Sequence, residues 1–190
     1  MAPTIAALIT NFNESKNIHR SLIPILSQTE PFDEVIIVDD GSTDESVITI
    51  QALIEDHQNV TLVRHKTNEG VVQAILTGLQ QTASDFVFFA SSNDSYSANI
   101  VEETKKHLMA NPEVKMISGN IEIIDENKSV RRYYLPFLKE TQRIYPEDVL
   151  RMMTARQFTF FGSGNVIHRE SMEQMDLFSK GLEWHTDWLL

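Results

Sequence analysis

The sequence predicts an α/β fold: an open, mostly parallel, twisted sheet with helices on both faces and a smaller second portion. Three observations predict it. Short apolar, β-branched runs alternate with helical patterns through residue 97, the signature of strand–helix–strand crossovers. The runs are continuous rather than alternating, as in strands covered on both faces. Each run also ends in polar residues, and open α/β sheets bind ligands beyond the carboxyl ends of their strands.

The elements follow in order. "TIAALIT" (4–10) reads as the first buried strand. Asn13 is placed to cap the next helix with Glu14 in its first turn, and Ile18, Leu22, Ile25 and Leu26 fall on one helical face. Pro24 lies inside that pattern and predicts a kinked or short helix. "EVIIVDD" (34–40) is the clearest strand, with Val and Ile at 35–38 and an acidic stop. Gly41 allows a sharp turn, and Ser42 with Glu45 has capping-box spacing for a helix to about residue 56. "VTLVRH" (60–65) is the third strand and residues 68–82 the third helix. On that helix Gly70, Ala74 and Gly78 line one face with small side chains, which lets it approach a sheet closely. "DFVFFAS" (85–91) is the fourth strand.

The second half changes style. Residues 114–125 and 129–135 read as strands joined by a turn at 125–128. Pro146 opens a helix over 146–153, residues 158–169 form a loop and strand, and a short helix follows over 172–178.

Composition bounds the function. The 190 residues favour one domain, and 42% apolar with 23% charged residues makes it globular. The net charge of −11, with Lys and Arg never clustered beyond a pair, argues against a nucleic-acid surface. The absence of Cys excludes thiolate metal sites and disulfides and fits a reducing compartment. The N-terminal stretch has no positively charged region before its short apolar run, so no signal peptide is expected. No apolar run approaches a membrane span, so membrane association is expected only through segments outside this chain.

Asp39 and Asp40 are the strongest site candidates. Two adjacent carboxylates need polar surroundings, and at a strand carboxyl end they can accept hydrogen bonds from ribose hydroxyls or a base N–H. Asn68 and Gly70 open a helix and serve a tight turn, with a second role at a ligand open. Asp187 stands among Trp184, Trp188 and Leu189. That setting suits either a desolvated general base with a raised pKa or an exposed acid following a Thr186 cap. His185 reads as a packing or surface residue. Gly162-Ser163-Gly164 lacks the spacing of a nucleophile elbow, and neither a P-loop nor a Gly-x-Gly-x-x-Gly fingerprint occurs.

Taken in order, "LITNFNE", "EVIIVDDGSTDES", "NEGVVQAILTGL", "DFVFFASSNDSY" and "HTDWLL" resemble family 2 of the glycosyltransferases, which have the GT-A fold. The resemblance implies a nucleotide-sugar-binding half at about 1–97 and an acceptor-side half at about 98–190, with acceptor elements continuing beyond it. It implies inverting transfer of a sugar from a nucleotide-diphosphate donor, UDP by the family's habit, to a glycan, lipid-linked or other hydroxyl acceptor. Such work is expected in the cytoplasm, including the inner membrane face. Carried onto matching positions, Thr10, Phe12 and Asp39 hold the nucleoside, and Asp40 supports the ribose side. Glu14, Asn68, Gly70 and Asn93 join the nucleotide-sugar site. Phe12 stands where the family usually has Tyr, which keeps stacking and loses a hydroxyl. Asp94 matches the metal-ligating acid and Asp187 the catalytic base.

Ser91 and Asn93 stand where the family often has further acids. Mg²⁺ or Mn²⁺ is therefore expected to bind weakly alone and better once substrate phosphates complete its oxygen shell. Two rival readings are kept: a nucleotide-sugar-binding domain without catalysis, and a receiver-like signalling domain. The second wants its acidic pair after the first strand, whereas here it ends the second.

Overall fold

The computed structural model describes residues 2–119, 121–124, 130–133, 143–145, 147–148, 151 and 163–174. Four parallel strands come first: β1 (Ile5–Asn11), β2 (Glu34–Asp39), β3 (Val60–Arg64) and β4 (Phe86–Ser91). Helices α1 (Ile18–Leu26), α2 (Ser46–Ile54) and α3 (Val71–Leu79) connect them. After β4 come α4 (Ile100–Ala110), β5 (Met116–Ser118), β6 (Ile121–Ile124), β7 (Val130–Tyr133), β8 (Asn165–His168) and α5 (Arg169–Gln174). The main sheet has the order β3-β2-β1-β4-β8-β5, with β8 antiparallel to both neighbours, and β6 pairs with β7 alone.

The continuous apolar strands are buried on both faces, as their sequences imply. Ile5, Ala7, Ile9, Val35, Ile37 and Phe88 point to one side, where they meet Ile18, Leu22 and Ile25 of α1, Ile50 of α2 and Val101 and Leu108 of α4. Leu8, Ile36, Val38 and Val87 point to the other, against Ala74 of α3 and Met172 of α5. Helices therefore cover both faces. The strand order reverses between β1 and β4, and such a reversal opens a crevice at the carboxyl ends of the two strands.

The small face of α3 does what its spacing predicts. A Cβ placed on Gly78 would stand 2.1 Å from Cδ1 of Leu8, itself buried in β1. Gly78→Ala is expected to gain about 1 kcal/mol of helix propensity and to lose about 1–3 kcal/mol to overpacking. The net is a loss of roughly 1 kcal/mol, read as a lower urea midpoint at unchanged m-value.

Several boundaries differ from the sequence expectation, each for a local reason. Asn13 does not cap α1: it takes φ 54°, and its amide oxygen accepts from Thr43 N–H at 2.9 Å and Asp44 N–H at 3.3 Å. Asn17 holds the cap position, so Glu14 precedes the helix rather than sitting in its first turn. The Ser42–Glu45 capping box does not form, because Ser42 Oγ accepts from Asn13 N–H and Asn11 Nδ2. Asp44 Oδ1 accepts from Ser46 N–H in its place. The expected strand over 114–125 is two strands in two sheets, parted at Gly119. Helix α3 begins after Gly70 rather than at 68, and α5 starts at Arg169, three residues before the expected 172. Glu147, Asp148 and Arg151 are helical, as Pro146 predicts.

Candidate functional site

The β-sheet register builds the site. Asn11 pairs with Asp39 across β1 and β2, and Thr10 pairs with Ser91 across β1 and β4. The β1–α1, β2–α2 and β4–α4 loops thus leave the sheet side by side at the order reversal.

The first two loops are zipped together by short polar side chains. Asn13, Glu14 and Ser15 give their backbone N–H groups to Ser42 Oγ (2.9 Å), Ser46 Oγ (3.0 Å) and Asp44 Oδ2 (3.0 Å). Burial raises the Asp44 carboxyl, but hydrogen bonds from Ser46 and Ser15 outweigh it and hold the group well below the usual carboxylate range.

Asp39 is wholly buried. Its Oδ2 accepts from Asn11 Nδ2 at 2.8 Å, its Oδ1 from Ser42 N–H at 3.0 Å, and Arg64 Nε lies 3.7 Å from Oδ1. Asp40 is also buried, but it reaches a cleft. Its Oδ1 meets His65 Nδ1 at 2.7 Å and Glu69 N–H at 2.8 Å, and its Oδ2 accepts from Gly70 N–H at 2.8 Å. The sequence predicts that two adjacent acids need polar surroundings, and each acid has its own set.

The cleft has a volume of about 290 Å³. Thr10, Asn11, Asp40 and Asn68 give it polar groups, Gly70 and Ala74 a small floor, and Phe12 and Val71 apolar walls. Phe12 is 42% exposed and Val71 55%, which leaves apolar surface at the cleft for a flat ring to lie on. None of the lining residues is Lys or Arg, and Asp40 is the one acid among them. An anionic group is therefore disfavoured inside.

Five sequence-predicted residues, Thr10, Phe12, Asp40, Asn68 and Gly70, meet in this cleft. Asp39 is not among its lining residues; its carboxylate ties the β1 and β2 ends together. Glu14 and Asn93 form a separate pair, with Asn93 Nδ2 donating to Glu14 Oε1 at 3.4 Å while Asn17 donates to Glu14 Oε2 at 2.7 Å. Asp94 is exposed on the loop after β4, and Asp187 lies outside the described residues, as do His185, Gly162 and the expected turn at 125–128. Asn11 and His65 belong to the polar strand ends that the sequence marks as a set, whereas nothing in the sequence singles out Val71. Polarity at the end of an apolar strand is the signal that finds Asn11.

Tyr96 shapes the loop that carries Asn93 and Asp94. Its hydroxyl accepts from Ser91 N–H at 2.8 Å and lies 2.7 Å from Ser163 Oγ, while its ring packs edge-on against Phe88. Burial pushes this phenol up to about 12, so it serves as a neutral donor and acceptor.

The donors of the β4 loop are of the type that a divalent cation takes. Asp94, Asn93 and the Ser91 and Ser92 hydroxyls offer hard oxygens, which suit Mg²⁺ and Mn²⁺. Among the described residues no three His, Cys, Asp or Glu side chains gather into a ligand set. One carboxylate needs substrate oxygens to complete the shell.

Comparison with known proteins places this geometry. A family model described as Glycosyl transferase family 2 matches residues 6–175. An uncharacterized glycosyltransferase of Haemophilus influenzae is 29% identical over 123 residues, covering 65% of this chain and 49% of that protein. The chain spans about half or less of the length of such curated relatives. Among solved structures, S. aureus TarS 1–349 in complex with UDP superposes with a TM-score of 0.80 at 18% identity, over 97% of this chain and 52% of that one. The mannosyltransferase PcManGT of Pyrobaculum calidifontis, in complex with GDP-Man and Mn²⁺, gives 0.66 at 22% identity, over 92% and 47%.

Proposed function

This chain belongs to glycosyl transferase family 2 and has the GT-A fold, and from that premise we propose that it transfers a sugar from a nucleotide-diphosphate donor, UDP-linked, to an acceptor hydroxyl with inversion. The observation that carries the reading is the cleft at the β1–β4 reversal. It pairs an exposed Phe12 ring with Asp40 and Asn68 and has no cationic side chain in its lining.

That chemistry orients the donor. The base stacks on Phe12, and Thr10, Asn68 and Gly70 border it. Asp40 takes a ribose hydroxyl, because a buried carboxylate accepts and a hydroxyl donates. Asp39 fixes the wall from behind. The diphosphate, repelled by Asp40, extends towards the β4 loop, where Asn93 and Glu14 border the sugar and Asp94 would hold Mg²⁺ or Mn²⁺. Such an ion would supply positive charge to offset that of the departing diphosphate. Asp187 takes the proton of the acceptor hydroxyl as its oxygen attacks the anomeric carbon from the face opposite the leaving group. The acceptor-side half, 98–190, presents a glycan, lipid-linked or other hydroxyl. No helix among the described residues is long and apolar enough to cross a membrane; we place the reaction in the cytoplasm, including the inner membrane face.

Titration calorimetry of UDP with and without Mn²⁺ tests the proposal. UDP is expected to bind at least about tenfold more tightly with Mn²⁺ and to raise Tm by mass action. Mn²⁺ alone binds weakly, because one carboxylate does not fill its shell. A thermal profile unmoved by UDP, GDP and dTDP with Mn²⁺ would overturn the reading.

A further inference from the structure

We propose that His65 is a positioning residue for the nucleotide, acting through Asp40, with Thr77 holding the far side of the ring. This rests on the nucleotide-sugar reading of the cleft.

Asp40 is the sole acid of the cleft lining, and His65 is not among the residues that line it. The imidazole packs behind the carboxylate, its side chain 9% exposed. Nδ1 lies 2.7 Å from Asp40 Oδ1, and Nε2 lies 2.9 Å from Thr77 Oγ1. The ionised carboxylate only accepts, so Nδ1 carries the proton. In the neutral ring Nε2 then accepts from the Thr77 hydroxyl. The chain Thr77–His65–Asp40 joins α3, the end of β3 and the end of β2.

The count of acceptor sites gives the consequence. A carboxylate oxygen has about two lone-pair positions. His65 and Glu69 N–H fill both on Oδ1, whereas Gly70 N–H fills one on Oδ2. One acceptor position on Oδ2 stays free on a residue that lines the cleft. A ligand hydroxyl or N–H thus meets a single fixed acceptor. Without the imidazole, Oδ1 regains a vacant position and the carboxylate a choice of rotamers, so part of the ligand's binding energy goes into ordering it.

A double-mutant cycle on the whole chain tests this, with UDP affinity measured by calorimetry at fixed pH and Mn²⁺. His65→Ala is expected to weaken UDP about tenfold, the low end for a hydrogen bond to a charged group. His65→Asn, whose amide N–H can stand near Nδ1, is expected to recover most of that loss. In an Asp40→Asn background His65→Ala is expected to cost nothing further, since the two act as one unit. Equal losses in both backgrounds, or an unchanged affinity, would overturn the proposal while leaving the nucleotide reading intact. If His65→Ala does not fold, Thr77→Val, which removes the hydroxyl at nearly constant volume, takes its place in the same cycle, and additivity there is equally decisive. Failure of the unaltered chain to bind UDP, GDP or dTDP would remove both.

Discussion

Asp187→Asn is expected to lower sugar transfer by a factor of about 10²–10⁴, the usual worth of a positioned general base, and to leave UDP affinity within about twofold. The amide matches the carboxylate in shape but cannot take a proton. If Asp187 meets the acceptor and not the nucleotide, the donor complex forms as before and only the chemical step fails. Hydrolysis of UDP-sugars, with water as acceptor, measures the step before the natural acceptor is identified. Loss of UDP affinity instead would make Asp187 a structural acid. Unchanged hydrolysis would move the base elsewhere.

Gly41→Ala is expected to destabilise the fold by about 3 kcal/mol or more and to weaken UDP with it. Two costs add. Gly41 has φ +72°, a backbone region that costs a side chain about 1–3 kcal/mol. An added Cβ would also lie 2.5 Å from the carbonyl carbon of Thr67 and 2.8 Å from the Asn68 nitrogen. Those are backbone atoms, so no rotamer change relieves the contact, and overpacking adds about 1–3 kcal/mol. The β2–α2 turn and the loop before α3 would have to separate. That movement pulls the Glu69 and Gly70 N–H groups from Asp40, so cleft and fold loosen together. Urea unfolding gives the stability and calorimetry the UDP affinity; a fully stable Gly41→Ala would mean the two loops are not pressed together in solution.

Much of this was legible in the sequence because it depends on neighbours along the chain. Val and Ile at 35–38 cannot be satisfied except in a covered strand, and the small stripe at 70, 74 and 78 has one use. What was missed has the opposite character. Helix α4 was not singled out because its buried positions include Thr104 and Lys105, which blur an apolar stripe. Lys105 is tolerated there because Glu30 at 2.9 Å and Asp33 at 3.3 Å receive it, partners more than 70 residues away. Ser42 has capping spacing for α2, yet the N–H of Asn13 and the amide of Asn11 claim its hydroxyl.

The sequence by itself determined the strand–helix order, the family and the set of polar residues at the strand ends, because each is written in local pattern. Only the tertiary structure decided how that set divides. Strand register put Asp39 beneath Asn11 and left Asp40 at the cleft, and the close approach of the β3 end brought His65 against it. The physical reason is that a carboxylate's role follows from the donors that reach it, and those donors come from loops joined by the sheet rather than by the chain.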